Sequence, residues 1–257
     1  MLLCPIFPPL KSESFIHSMK IKSAREKKRR NAAAALKGEY RRRDTKLLPP
    51  SEMLKRNKKG NDMKNPLQYQ STEYDCGPSS VINAVSFLFE REEIPPELII
   101  NVMRFCLDRS GSDGSPGKGG TSCAAMRSLC GWLNEFAAVR KFPIFTRYLS
   151  GEKVSMNEDA DIVKALRQGG TAVVRLYYDV QHYVLLTGEK DGKIFVFDSY
   201  FVDKNFSLEN IVIDLDHPFT YNRIVPADSF NRETHDPYAL GEIGSREAVL
   251  IFKTANK

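Results

Sequence analysis

Apolar and polar positions alternate with two different periods along this chain, and the change falls near its middle. Val81, Ala84, Val85 and Leu88 recur at i, i+3, i+4 and i+7, which predicts a helix over residues 76–90 with one buried face. Residues 95–105 and 123–136 read as further helices, and 160–168 as a short one stopped by Gly169-Gly170. After that the period changes. TAVVRLYY, HYVLLTG, KIFVFDSY and AVLIFK are runs rich in β-branched and aromatic residues with turn residues between them, and they predict strands. Helices first and strands second is the order of an α+β fold with an antiparallel sheet, not of a doubly wound one.

The N-terminal stretch shows neither period. Residues 1–62 hold 17 Lys+Arg against 6 Asp+Glu, a net of +11, which leaves −5 for the rest of a chain whose total is +6. The sequence pI near 9.0 therefore describes a basic extension joined to a mildly acidic domain at 63–257. Residues 1–62 read as a solvated, mostly disordered tail. Two other readings stay open: an arm that binds polyanions, and upstream sequence ahead of a true start at Met63. Nucleic acid is not an expected partner of the acidic domain, and only the tail offers it a site.

No apolar run reaches the ~18 residues that a membrane helix needs, so no membrane association is expected. The opening MLLCPIF is broken by prolines and lacks a preceding basic residue, unlike a signal peptide. Five cysteines at irregular spacing suit a reducing compartment, and a cytoplasmic location is expected. Cys123 and Cys130 stand seven apart with no histidine near them in sequence, so neither a metal nor another cofactor is expected. Arg109–Ser122 carries five glycines but fails the phosphate-loop spacing, because Ser112 and Gly119 stand where Gly and Ser/Thr are required. It is expected to be a mobile loop at the rim of a cleft.

The chemistry concentrates around QSTEYDCGPSSV, residues 70–81. Cys76 stands at the start of the first predicted helix, where Pro78 suits the first turn. Unpaired amides and the helix dipole favour a thiolate there, and the same amides can hold an oxyanion. Gln70, six residues upstream, can fold back as a side-chain donor to that hole; Gln68 is the weaker alternative. Among the four histidines, His182 opens the strand HYVLLTG. His182 and Asp198 each lie eight residues from Lys190, so a hairpin about that point sets them nearly opposite, on one face. A carboxylate so placed fixes the imidazole while its other nitrogen serves Cys76. Taken singly, such a Cys is mostly a buried hydrophobe, such a His an edge residue and such an Asp a turn former. The combination carries the reading.

That combination resembles the C39-type cysteine peptidases, a branch of the papain-like fold. The resemblance rests on Gln70 with Asp75-Cys76-Gly77-Pro78, on His182-Tyr183-Val184-Leu185-Leu186 and on Phe197-Asp198-Ser199, with Gly119-Gly120-Thr121 also reminiscent of that group. It spans about residues 65–200. It implies a papain-like α+β fold with a helical half packed on a C-terminal antiparallel sheet. It further implies Cys76 as nucleophile, His182 as general base and acid, Asp198 as the orienting residue and Gln70 as oxyanion donor, with a peptide or protein as substrate. Many relatives have Asp-Pro where this chain has Asp198-Ser199. The best-known members are fused to membrane exporters and cut leader peptides after a double glycine, and this sequence shows neither a membrane span nor a nucleotide-binding motif. A catalytically silent peptide-binding module, or an acyl or peptidyl transferase using the same residues, are the alternatives.

Overall fold

The computed structural model describes residues 64–204 and 210–255, all within the unit that spans Asp62–Lys257. The readings made for residues 1–62 therefore lie outside the described residues. Among the described residues three helices come first: α1 (Cys76–Leu88), α2 (Pro96–Cys106) and α3 (Cys123–Arg140). Strand β1 (Ile144–Ser150) and the short helix α4 (Asp161–Arg167) follow. Then come β2 (Thr171–Tyr178), β3 (Val180–Lys190), β4 (Lys193–Phe197), β5 (Val212–Ile213), β6 (Arg223–Pro226), the one-turn α5 (Ala227–Phe230) and β7 (Glu247–Lys253). The seven strands form one antiparallel sheet in the order β1-β7-β2-β3-β4-β6-β5. The architecture is α+β, a helical half packed on an antiparallel sheet.

The central strands read as near-continuous apolar runs because both faces of the sheet are covered. On one face Val173, Leu185, Phe197 and Ile251 pack with Val85 of α1 and Leu133 of α3. On the other, Val174, Leu186 and Val196 pack with Ile162 and Leu166 of α4. Fully burying each such side chain contributes about 1.5–3 kcal/mol. Helix α1 lies on β3, the middle strand, and the Ser80 hydroxyl donates to the Tyr183 carbonyl at 3.1 Å.

Strand β1 carries no strand reading in the sequence, since its pattern is inverted: Thr146 is buried and Phe145 exposed. Thr146 earns its place through hydrogen bonds. Its hydroxyl donates to the Cys130 carbonyl at 2.8 Å, and Asn134 of α3 binds its N–H and C=O at 2.8 and 2.9 Å. A helix side chain thus pairs the outer edge of the sheet, where strands otherwise offer free backbone groups.

The β3–β4 hairpin departs from the expected centre. Its two-residue turn is Asp191-Gly192, both at positive φ, and Lys190 pairs with Lys193. Strand β4 stops at Phe197, so Asp198 falls just past it. Beyond the Leu185–Phe197 pair the next residue opposite is Val184, not His182. A bulge between Leu186 and Gly188 absorbs Thr187 and restores the parity. Without that extra residue Asp198 would stand across from Leu185, on the opposite face from His182. With it, the two are diagonal neighbours on one face.

Candidate active site

Helix α1 begins at Cys76 without the usual side-chain cap. Asp75 is the residue before the helix, yet its carboxylate points backward. It accepts from the Ser71 and Thr72 amides at 3.0 and 2.8 Å and from the Thr72 hydroxyl at 2.7 Å. The turn 71–75 is thereby organised while the Asp75 side chain leaves the first helical amides uncapped, a natural seat for negative charge. Gly77 follows because nothing larger fits. A Cβ there would overlap the Thr121 side chain, with Thr121 Cβ only 2.8 Å away. The Thr121 hydroxyl is buried, close to the Cys106 thiol.

His182, near the start of β3, is brought to both of its expected neighbours. Its Nε2 lies 2.8 Å from Asp198 Oδ1, and Cys76 stands close enough to bear on its charge. Burial alone would push the imidazole below its ordinary 6.5. The Asp198 carboxylate, with help from Cys76, outweighs burial and holds His182 up to about 10. Burial likewise works to raise Asp198, but the His182 charge, two hydrogen bonds and the Arg223 charge win and keep its carboxyl below its usual value. Asp198 is 1% exposed and His182 7%, so this pair sits largely out of water.

Asp198 is fixed by elements that the sequence did not bring into view. Its Oδ1 also accepts from the Tyr200 amide at 2.9 Å, and its Oδ2 from the Tyr238 hydroxyl at 2.9 Å. Asn222, just ahead of β6, clamps its backbone: Asp198 N–H donates to Asn222 Oδ1, and Asn222 Nδ2 donates to the Asp198 carbonyl, both at 2.8 Å. The fully buried Arg223 donates to the Asn222, Tyr200 and Val202 carbonyls. No periodic pattern singles out Asn222 or Tyr238. The one signal is that YNR and DPY place hydrogen-bonding side chains beside apolar runs.

Gln70 is held against Ser199, the residue that follows Asp198. Its N–H donates to the Ser199 carbonyl at 2.9 Å, and its Oε1 accepts from the Ser199 hydroxyl at 2.9 Å. Its Nε2 donates to the Thr72 carbonyl at 2.8 Å, which uses one of its two amide hydrogens. Gln68 is held by its backbone, exchanging hydrogen bonds with Asn83 of α1 at 2.8 and 2.9 Å.

Other candidates are spoken for. Cys106 is in the core, where burial pushes its thiol up to about 12. Cys130 bonds to Thr146, and Cys123 accepts from Arg175 at 2.8 Å. His217 pairs with Asp214 and His235 with Glu242, while His17 lies outside the described residues. Trp132, Phe136 and Phe142 stack as packing, whereas Phe145 lies on the surface against Phe252. Tyr178 stands 6.1 Å from His182 and Tyr177 stacks on His235. The Gly-rich segment, expected to move freely, is stitched at its base. Ser122 donates to Asp108 through both N–H and hydroxyl, and the Gly119 amide donates to the Arg109 carbonyl at 2.9 Å. Among the described residues no helix is long and apolar enough to cross a membrane, and no group of three or more His, Cys, Asp or Glu is placed to hold a metal.

No protein-family profile matches the chain. No curated protein matches it either. Among solved structures it is similar to the peptidase domain of Streptococcus mutans ComA, at 12% identity and a TM-score of 0.32, over 73% of this chain and 98% of that one. It is similar to a double glycine motif protease from an AMS/PCAT transporter, solved with the leader peptide, at 14% identity and a TM-score of 0.34, over 75% and 93% of the two chains. A further structure of a Streptococcus ComA peptidase domain, from a bi-functional ABC transporter involved in a quorum-sensing pathway, gives 13% identity and a TM-score of 0.37, over 73% and 97%.

Proposed function

We propose that this chain is a cysteine peptidase that hydrolyses a peptide bond by thiol chemistry, with a peptide or protein as substrate. The observation that carries this reading is His182 held between a buried carboxylate, 2.8 Å from Nε2, and Cys76 at the uncapped start of α1. An imidazole raised to about 10 is an imidazolium at neutral pH, which supplies the proton a leaving group needs. The Cys76 sulfur attacks the carbonyl carbon. The Cys76 amide and the second amide hydrogen of Gln70 receive the oxyanion. His182 gives its proton to the leaving nitrogen as the C–N bond breaks, leaving a thioester on Cys76. His182 then takes a proton from water, whose oxygen attacks the thioester, and the acid product leaves with the thiolate restored. Asp198 keeps the ring in the productive tautomer throughout. The same reading includes a cytoplasmic location, which the four free cysteines of the described residues fit.

Iodoacetamide labelling of Cys76 across pH 5–9, read by peptide mass spectrometry, tests it. Fast labelling at pH 6 that is lost in His182→Ala is the expected result. Labelling that rises only near the free-thiol pKa of about 8.5 in both proteins would sink the proposal.

A further inference from the structure

Tyr238 lies beyond residues 65–200, which carry the sequence resemblance, and its surroundings are unusual for a packing residue. It is fully buried, yet its hydroxyl reaches the centre of the site and donates to Asp198 Oδ2 at 2.9 Å. Its backbone sits at φ +65°, a conformation that non-glycine residues adopt at a cost and that clusters at functional sites. The surrounding chain enforces that conformation. The Tyr238 amide donates to the Tyr177 carbonyl and the Tyr177 amide to the Ala239 carbonyl, both at 2.8 Å, which staples the segment to the end of β2. Gly241, at φ +71°, lets the same segment lie against the Tyr177 ring, where a Cβ would come within 2.9 Å of Cδ2. The ring is wedged between Tyr178 and Phe230, with centroids 6.2 and 6.4 Å away. The hydroxyl therefore has little freedom to leave the carboxylate.

We propose that Tyr238 is a positioning residue of the site: it grips the second oxygen of Asp198 so that the first faces His182. This rests on the peptidase reading above and deepens it to four interacting side chains, Cys76, His182, Asp198 and Tyr238. The argument is geometric. A carboxylate held only through Oδ1, by His182 and the Tyr200 amide, remains free to swing about its Cα–Cβ and Cβ–Cγ bonds. A donor on Oδ2 from a different part of the chain removes that freedom. Donors to a charged acceptor are among the strong hydrogen bonds of a protein interior.

Tyr238→Phe in the full chain removes the hydroxyl and keeps the ring. Two signals are read beside a folding control by circular dichroism: the His182 Nε2–H proton by NMR, and the iodoacetamide rate at Cys76 at pH 6. The expected result is a displaced or broadened Nε2–H resonance and a labelling rate about tenfold lower, with the fold intact. An unchanged resonance and rate in a folded variant would overturn the role of Tyr238. If wild type labels as slowly as His182→Ala, the peptidase reading falls, and the Nε2–H resonance alone still decides whether Tyr238 holds Asp198. Should the variant not fold, the wild-type protein decides. A slowly exchanging Tyr238 hydroxyl proton supports the grip, and fast exchange of that proton overturns it.

Discussion

The two ends of the site are built by opposite means. Cys76 is placed by backbone: it is the first residue of a helix whose apolar face lies on the middle strand, and no side chain covers its amide. Asp198 is placed by side chains, with hydrogen-bond partners at Tyr238 and Asn222 that lie 40 and 24 residues further along the chain. The thiol inherits its position from secondary structure, whereas the carboxylate depends on a lattice of hydrogen bonds that exists only once the fold is complete. Loss of one should therefore be local, and loss of the other should spread.

Asp198→Ala is the hardest blow to that contrast. It removes the acceptor shared by the Tyr238 hydroxyl, the Tyr200 amide and one nitrogen of His182 in the interior. Urea unfolding should show a loss of about 3–5 kcal/mol, together with loss of fast Cys76 labelling. A loss below about 1 kcal/mol would mean that the lattice is not cooperative. A second, smaller effect follows from pH. His182 is raised from 6.5 to about 10, so its contribution to stability is complete below pH 6.5 and fades as pH climbs to 10. Asp198 is lowered, so its contribution is present above its ordinary 3.8 and fades as pH drops through its folded value. The stability gap between wild type and His182→Ala should narrow steadily from pH 7 to pH 10 in urea titrations, and a constant gap would remove the ion pair from the account. The smallest effect belongs to the other end. Cys76→Ser should abolish labelling yet shift the unfolding free energy by no more than about 1 kcal/mol, since backbone and not the thiol sets the position. A larger shift would erase the distinction drawn here.

The same contrast explains what could be read from the sequence. The helix at Cys76, its Gly-Pro opening and its apolar stripe are local signals with a 3.6-residue period, and α1 begins where they place it. The pairing of His182 with Asp198 was legible only as an equal spacing from Lys190. The structure brings them together at 2.8 Å by a different route, through a turn at Asp191-Gly192 and a bulge that takes up Thr187. A bulge has no periodic signature, and its effect on which face a residue occupies is visible only in the register. Strand β1 escaped notice for a related reason: its buried position is held by the hydroxyl of Thr146 and by Asn134, not by an apolar side chain. Tyr238 and Asn222 are legible from neither pattern, since their roles depend on distant partners.

The contact between Gly77 and Thr121 has a thermodynamic meaning beyond packing. The glycine-rich segment ends there, wedged against the helix start beside Cys76, with Gly120 lying over the Tyr74 carbonyl and the stems joined through Asp108 and Ser122. Flexible loops that must order around a ligand subtract that ordering from its affinity. Here the edge nearest the sulfur is already pinned by hydrogen bonds, so under the proposed peptidase reading a bound peptide would lose less of its binding energy to ordering that rim.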